Sequence, residues 1–375
     1  MGSYLSQPIT EKHTDDGENW GFSCMQGWRI DMEDDHVCVS DMDGELKGVG
    51  LYAVFDGHGG AEVAKFCSKH ISTKVKELLK SEDLPATLTR AYESIDDMLR
   101  TPEFQAELAT MRKSNAASSE SGPGESKTEM MAMLQNSINE DLRDMRQRTG
   151  GISREEAAQV MMKMMRMRRL ESTNDFSDEA DTPATADNVG CTAVSALITP
   201  RAIIVANSGD SRAVLSRGGV AVPLSRDHKP NDEDERARIE AAGCRVEEVQ
   251  GGARTHYRIN GNLNLSRAIG DLEYKSRKDL PACAQAITCT PETRTEKIHD
   301  DDEFLILACD GIWDVMTDQE AVDFVRPKLV EGAKLSQVCS DLLDACITAD
   351  PKETQGLGAD NMTCIIVKLH KRVVE

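Results

Sequence analysis

The chain has 375 residues, a formal net charge of −21 and 39% hydrophobic residues. This length suits one large domain or two ordinary ones, and the hydrophobic content supports a packed core. The strong negative charge argues against general nucleic-acid binding. The eleven cysteines lack the paired spacing of a zinc site and no secretory signal is evident, so we expect reduced thiols and an intracellular protein, cytoplasmic or nuclear.

The opening residues, MGSYLS, fit the pattern for N-myristoylation, with Gly2 as the acceptor. One acyl chain gives only marginal, reversible membrane binding, and little basic charge follows it in the segment 1–19. We therefore expect at most transient membrane contact, which mass spectrometry of the N-terminal peptide from a eukaryotic host would test.

Apolar spacing predicts the elements of the chain in order. Strand-like runs alternate between residues 21 and 56, and helices are predicted over 61–80 and 81–101. The later predicted elements are two or three strands over 190–216, a helix over 231–242, a hairpin through 260–262, helices over 318–330 and 335–349, and a strand over 362–367. Strand clusters flanked by helix pairs predict a layered α+β fold.

Residues 103–188 interrupt this pattern and are interpreted as an insertion. Small polar residues at 114–124 and an acidic run at 175–181 predict flexible, solvated segments. Helix-prone stretches lie between them, at 129–148 and 153–171. The second is rich in methionine and basic residues, so it either packs on its own domain or docks a substrate or regulator.

Several acidic residues lie where apolar runs end or begin. The run LYAVF at 51–55 stops at Asp56. A carboxylate at the end of a buried strand is costly unless a cation sits on it. The same pattern recurs at Asp210, Asp310 and Asp360. One such acid is commonly part of a turn, but several together can share hard divalent cations through oxygen ligands.

An acidic cluster also follows an arginine near the start of the chain. Glu33 and Asp34 come shortly after Arg29. The arginine can hold an anion while the acids serve metals, although an exposed charged turn would have the same pattern.

Seven motifs resemble, in order, those of the metal-dependent protein phosphatases, the type 2C serine/threonine phosphatase family, also called PPM. They are RIDMED at 29–34, DGHGG at 56–60, GCTA at 190–193, SGDSR at 208–212, SRAIGD at 266–271, CDGIWD at 309–314 and GADN at 358–361. The resemblance implies a phosphatase domain over residues 20–370, interrupted by the insertion at 103–188. The opening residues and the insertion also resemble the gamma subgroup.

The fold that this resemblance implies is a four-layer α-β-β-α sandwich. Two antiparallel sheets pack together, helices cover both outer faces, and metals lie in a cleft at one end of the sheet pair. Residues from about 227 to 264 resemble the family's flap beside that cleft.

The resemblance also implies a site with two Mg²⁺ or Mn²⁺ ions. Asp56 would bridge them, with Asp310 and Asp360 completing the ligands of the first ion. The second ion would take Asp56 and the carbonyl oxygen of Gly57. The remaining implied acids are Glu33 and Asp34, acting through waters, and Asp210 and Asp314, at a weaker third metal site.

The implied reaction is hydrolysis of phosphoserine and phosphothreonine in phosphoproteins. A water between the ions would attack phosphorus in line, without a phosphoenzyme. His58 would act as general acid on the leaving oxygen, and Arg29 would bind the phosphate. Asp271 lies in a family motif, but the sequence assigns it no metal, and a structural role is the other interpretation.

Two other functions stay open at this point. One is a pseudophosphatase that binds partners without catalysis, although all the expected acids are present. The other is a hydrolase of small phosphoesters, which the flap disfavours. We expect a monomer.

Overall fold

The computed structural model describes residues 4–79, 83–119, 135, 138, 143, 185–251 and 254–369. The chain divides into two compact units, one of residues 1–108 and 185–375 and the other of residues 109–184. Gly2, the helix-prone stretches and the acidic run of the expected insertion lie largely or wholly outside the described residues. None of the helices that the structure describes is long and apolar enough to cross a membrane.

Sixteen strands and seven α-helices are described. The strands are β1 Ile9–Asp16, β2 Trp20–Gly27, β3 Asp35–Val39, β4 Gly50–Phe55, β5 Gly57–His58, β6 Gly190–Cys191, β7 Ala193–Ile198, β8 Ala202–Ser208, β9 Arg212–Arg217, β10 Val220–Pro223, β11 Val246–Gly251, β12 Arg254–Ile259, β13 Ile269–Gly270, β14 Glu292–Lys297, β15 Asp302–Ala308 and β16 Met362–Lys368. The α-helices are α1 Glu62–Leu78, α2 Leu84–Met98, α3 Pro102–Ser119, α4 Glu233–Ala241, α5 Asp310–Trp313, α6 Asp318–Val330 and α7 Leu335–Cys346.

Two antiparallel sheets form the centre of the first unit. One has six strands in the order β1-β2-β16-β15-β9-β10, and the other has five in the order β14-β8-β7-β4-β3. Side chains alternate across a strand, so Leu305 and Leu307 of β15 face the second sheet, where they join a buried cluster with Tyr52 and Val205. Apolar residues on both faces explain why these strands read as continuous apolar runs.

Helices cover the outer faces of both sheets. Ile306 of β15 points away from the sheet interface and packs with Val322 of α6 and Leu342 of α7. On the other side, the hydroxyl of Tyr92 on α2 donates to Ser195 Oγ of β7 at 2.9 Å. The predicted four-layer α-β-β-α sandwich is therefore confirmed.

The first sheet begins earlier than the sequence predicts. Residues 9–16, placed ahead of the domain in the segment 1–19, form β1 and pair with β2. Asp16 accepts a hydrogen bond from the backbone nitrogen of Ser336, at the start of α7 (3.0 Å). Because β1 is a polar edge strand with no buried residue, its sequence lacks the apolar pattern that marks a strand.

The turn expected through residues 260–262 is present and is closed by one antiparallel bridge between Ile259 and Leu263, whereas the longer hairpin lies just before it. Strands β11 and β12 pair over Val246–Gly251 and Arg254–Ile259 and form a separate two-stranded sheet. Asn260 does begin a tight turn, with a left-handed φ of 50°, and the nitrogen of Ile259 donates to the oxygen of Leu263 at 2.7 Å. The Asn-Gly pair therefore marks a turn, whereas strands β11 and β12 before it are rich in charged residues and show no clear alternation of apolar and polar side chains.

A buried ion pair fixes the segment after β13 to helix α2. Lys275 pairs with Asp96, and their side chains are only 2% and 5% exposed. Asp96 also accepts a hydrogen bond from the nitrogen of Gly270 (2.9 Å), and Lys275 donates to the oxygen of Ala268 (2.8 Å). Burial lowers the pKa of Lys275, but the charge and hydrogen bond of Asp96, with smaller contributions from Cys289 and Asp271, together leave the pKa raised. Both charges are thus compensated inside the protein.

We expect Asp96→Ala to lower the free energy of unfolding by about 3–5 kcal/mol, because Lys275 is left buried without its partner. Urea denaturation measures the loss. The control is Asp97→Ala, which removes an exposed acid from the same helix and should change stability little. Equal effects of the two substitutions would contradict the role of the ion pair.

Candidate metal centre

Carboxylates from both sheets converge at one end of the sandwich. Asp56 follows β4, Asp210 lies between β8 and β9, and Asp310 follows β15. One oxygen from each of these three side chains lies within 4.8 Å of the other two. The packing of the two sheets therefore brings together acids that are far apart in the sequence.

Asp34 extends this cluster from the loop before β3. A carboxylate oxygen of Asp34, one of Asp56 and the sulfur of Cys309 also lie within 4.8 Å of one another. Thr363 Oγ1 donates to Asp34 Oδ2 at 2.6 Å, whereas the buried Oδ1 has no hydrogen-bond partner among the described residues. A buried carboxylate oxygen without a hydrogen-bond partner is energetically unfavourable. A cation or a water molecule bound to this atom would remove that cost.

Cys309 was not a predicted site residue. Burial, followed by the charges of Asp34 and Asp56, raises the pKa of its thiol well above the usual range. The backbone nitrogen of Thr363 donates to its sulfur at 3.2 Å. The thiol is therefore neutral and packs against the carboxylates. The ligands that this site offers to a cation are then the carboxylate oxygens.

The carboxylates raise one another's pKa values. Burial, and then the charge of Asp310, raises the pKa of Asp56 well above its usual range. Burial and the charge of Asp210 do the same to the pKa of Asp310. Burial, assisted by the charge of Asp360, raises the pKa of Asp34 to about 6. The cluster therefore favours either protons or bound cations.

Two side-chain cations contact the cluster. Arg29 forms an ion pair with Asp360. Burial lowers the pKa of Arg29, but the nearby acids Asp360, Asp310 and Asp56 together outweigh burial and leave the pKa raised. Lys229 Nζ lies 2.5 Å from Asp210 Oδ2. Sequence reasoning missed Lys229, because no motif links it to an acid 19 residues away.

Asn361 holds the loop that carries Glu33. Its Oδ1 accepts a hydrogen bond from the nitrogen of Glu33 at 2.9 Å. Its Nδ2 donates to the oxygens of Gln26 (2.8 Å) and Asp31 (3.0 Å). The residue after Asp360 in the GADN motif is thus a structural support for the acidic loop.

Gly57 occupies a position with no room for a side chain. A Cβ at this position would lie 2.2 Å from the carbonyl oxygen of Glu33. Close approach of the two backbones therefore requires glycine.

Asp314 is exposed and caps the C-terminus of α5, and its charge contributes to the raised pKa of Asp310.

His58, next to Gly57, is bonded to a second acid. Its Nε2 lies 2.7 Å from Asp271 Oδ2. Burial lowers the pKa of His58, but the charge and hydrogen bond of Asp271, with the charges of Glu33 and Asp210, together leave the pKa raised. Nδ1 is buried and has no hydrogen-bond partner in the part of the chain that the structure describes.

The donor set fits a hard divalent cation. Such ions prefer carboxylate, carbonyl and water oxygens, whereas zinc favours thiolate and imidazole. Asp56, Asp210 and Asp310 offer oxygens within 4.8 Å of one another, and Asp34 Oδ1 is unpartnered. A divalent cation would relieve both the repulsion and the unmet hydrogen-bonding capacity.

The chain is similar to known proteins in sequence and in fold. The family profile described as "Protein phosphatase 2C" matches residues 18–123 and 128–354. The chain is 39% identical to "Probable protein phosphatase 2C 21" of Arabidopsis thaliana, over 99% of this chain and 93% of the relative. It is 37% identical to "Protein phosphatase 2C homolog 2" of Schizosaccharomyces pombe, over 100% of this chain and 80% of the relative. A solved phosphatase from Toxoplasma gondii shares the fold, with a TM-score of 0.61, 20% identity and 96% coverage of both chains.

The raised pKa of Asp34 predicts a pH dependence for the metal-free protein. The folded state keeps the proton up to about pH 6, whereas the unfolded chain releases it near pH 4. The folded state then binds more protons, so stability falls as pH rises through this window. One pKa unit corresponds to about 1.4 kcal/mol, so the loss approaches about 3 kcal/mol.

The measurement is denaturant unfolding of EDTA-treated protein across this pH window, for the wild type and for Asp34→Asn. The wild type should lose stability relative to the variant as pH rises, and added Mn²⁺ should restore it above the window. A stability difference that does not change with pH would refute the assignment.

Proposed function

The chain belongs to the protein phosphatase 2C family and is a metal-dependent protein serine/threonine phosphatase; we propose that it hydrolyses phosphoserine and phosphothreonine at the Asp56 carboxylate cluster with two Mg²⁺ or Mn²⁺ ions. The observation that carries this proposal is the approach of Asp56, Asp210 and Asp310 within 4.8 Å. Acids so close together in a largely buried position are well suited to binding divalent cations.

Asp56 would hold both ions, and Asp310 and Asp360 would be further ligands of the first. The carbonyl oxygen of Gly57 would help to hold the second ion. When bound, the ions make an attacking water more acidic and stabilise charge on the phosphoryl group. The remaining proposed acids are Glu33 and Asp34, through waters, and Asp210 and Asp314, at a third site.

Arg29 is proposed to bind the phosphate. Its side chain is half exposed although it pairs with Asp360, so part of the guanidinium is accessible from solvent. The planar guanidinium can donate two parallel hydrogen bonds to phosphate oxygens. Its pairing with Asp360 supports this role, because it keeps the cation beside the acidic cluster.

His58 is proposed to protonate the leaving serine or threonine oxygen. Two observations support this: the pKa of His58 is raised, because Asp271, Glu33 and Asp210 together outweigh burial, and Nδ1 has no hydrogen-bond partner among the described residues. A protonated imidazole can donate a proton near neutral pH.

The first test is hydrolysis of a phosphothreonine peptide by the full chain, with and without Mn²⁺. We expect release of phosphate only with metal, and loss of this activity to background in Asp56→Ala. Asp31→Ala is the matched control, since it removes an exposed acid from the neighbouring loop and should keep activity. Faster turnover of small phosphometabolites than of the peptide would favour the small-phosphoester hydrolase. No release by folded, metal-bound wild type would favour the pseudophosphatase.

His58→Ala tests the general acid. For alkyl phosphates, whose leaving groups need a proton, we expect turnover to fall by about 10²–10⁴-fold. For p-nitrophenyl phosphate the loss should be much smaller, because nitrophenolate leaves without protonation. Steady-state kinetics on both substrates gives the two ratios, and equal losses would reject the role.

A further inference from the structure

A three-stranded sheet places His58 and Asp271 on either side of one glycine. In the order β13-β6-β5, Gly190 of the central strand pairs with His58 on one side and with Gly270 on the other. Asp271 comes directly after Gly270. The backbone pairing therefore delivers the two side chains to the same place, where His58 Nε2 lies 2.7 Å from Asp271 Oδ2.

Gly190 makes this contact sterically feasible. A Cβ at this position would lie 2.5 Å from Asp271 Oδ2 and 2.8 Å from His58 Nε2. Both distances are shorter than real Cβ contacts, so any side chain here would push the two residues apart. The glycine leaves room for the contact between His58 and Asp271.

Asp271 is held rigidly by its own backbone. It has a left-handed φ of 50°, and its nitrogen donates to the oxygen of Val189 at 3.0 Å. The preceding residue, Gly270, donates its nitrogen to Asp96 Oδ1 at 2.9 Å. Asp271 itself is 2% exposed. A carboxylate fixed in this way can orient the ring bonded to it.

We propose that Asp271 is the positioning residue for His58. The carboxylate of Asp271 accepts a hydrogen bond from Nε2–H. This bond fixes the orientation of the ring and keeps Nε2 occupied. Nδ1 then gives its proton to the leaving serine or threonine oxygen, and the neutral ring keeps Nε2–H bonded to Asp271. Asp271 stays ionised throughout, as an orienting carboxylate does. This inference rests on the proposed role of His58 as general acid.

Two substitutions suit the left-handed backbone of Asp271. Asparagine keeps the shape and tolerates this conformation, and glycine removes the side chain without strain. The matched control is Glu273→Gln, which removes an exposed acid two residues away. Thermal melts of all three variants verify that they are folded.

The kinetic test repeats the leaving-group comparison. We expect Asp271→Asn and Asp271→Gly to slow turnover of alkyl phosphates by about 10–100-fold, a part of the full general-acid effect, and to spare p-nitrophenyl phosphate. Glu273→Gln should leave both rates unchanged. In a His58→Ala background, loss of Asp271 should cost no further activity, because the two act as a unit.

Equal slowing of both substrates, or effects that multiply in the double variant, would overturn the positioning role while leaving the proposed phosphatase activity intact. Inactive wild type would instead count against the proposed function. The two failures are therefore distinguishable.

A second readout needs neither metal nor activity. Nitrogen-15 NMR of histidine-labelled, metal-free protein at alkaline pH reports which ring nitrogen of His58 carries the proton, with His58→Ala identifying the signal. We expect the proton on Nε2 in the wild type and a mixture of tautomers in Asp271→Gly. A proton on Nδ1 in the wild type, or no change in the variant, would overturn the proposal.

Discussion

The mutual repulsion of carboxylates that are wholly or partly buried is the constraint on which this structure depends. Asp34, Asp56 and Asp310 have raised pKa values because they are buried and lie close to other acids. Such a cluster destabilises a fold that has no counter-charge. Arg29 and Lys229 each pair with one acid at the cluster, and bound divalent cations would balance the rest. The feature that weakens the metal-free protein is thus the one that suits it to bind metal.

The cluster also depends on backbones that approach closely. A Cβ at Gly57 would meet the carbonyl of Glu33, and one at Gly190 would meet His58 and Asp271. Both glycines are needed for space rather than for an unusual φ. Because neither position carries a side chain, three segments from distant parts of the chain can meet at one end of the sheets.

Most of the regular elements could be predicted from apolar spacing. The helix expected over 318–330 matches α6 at Asp318–Val330, and the apolar runs before Asp56 and Asp310 are strands β4 and β15. The elements that were missed include β1, β14 and the β11–β12 pair, which are polar or charged strands. Such strands are held by backbone pairing, which leaves no periodic signal in the side chains.

Sequence alone determined the layered fold, the family and the acids at the ends of strands, because each of these is written in local patterns and ordered motifs. Only the tertiary structure decided which groups touch: Lys229 with Asp210, Arg29 with Asp360 and His58 with Asp271. These partners are between 19 and 331 residues apart. Their contacts follow from how the sheets pack and which strands pair, and no local pattern encodes a distance between atoms so far apart along the chain.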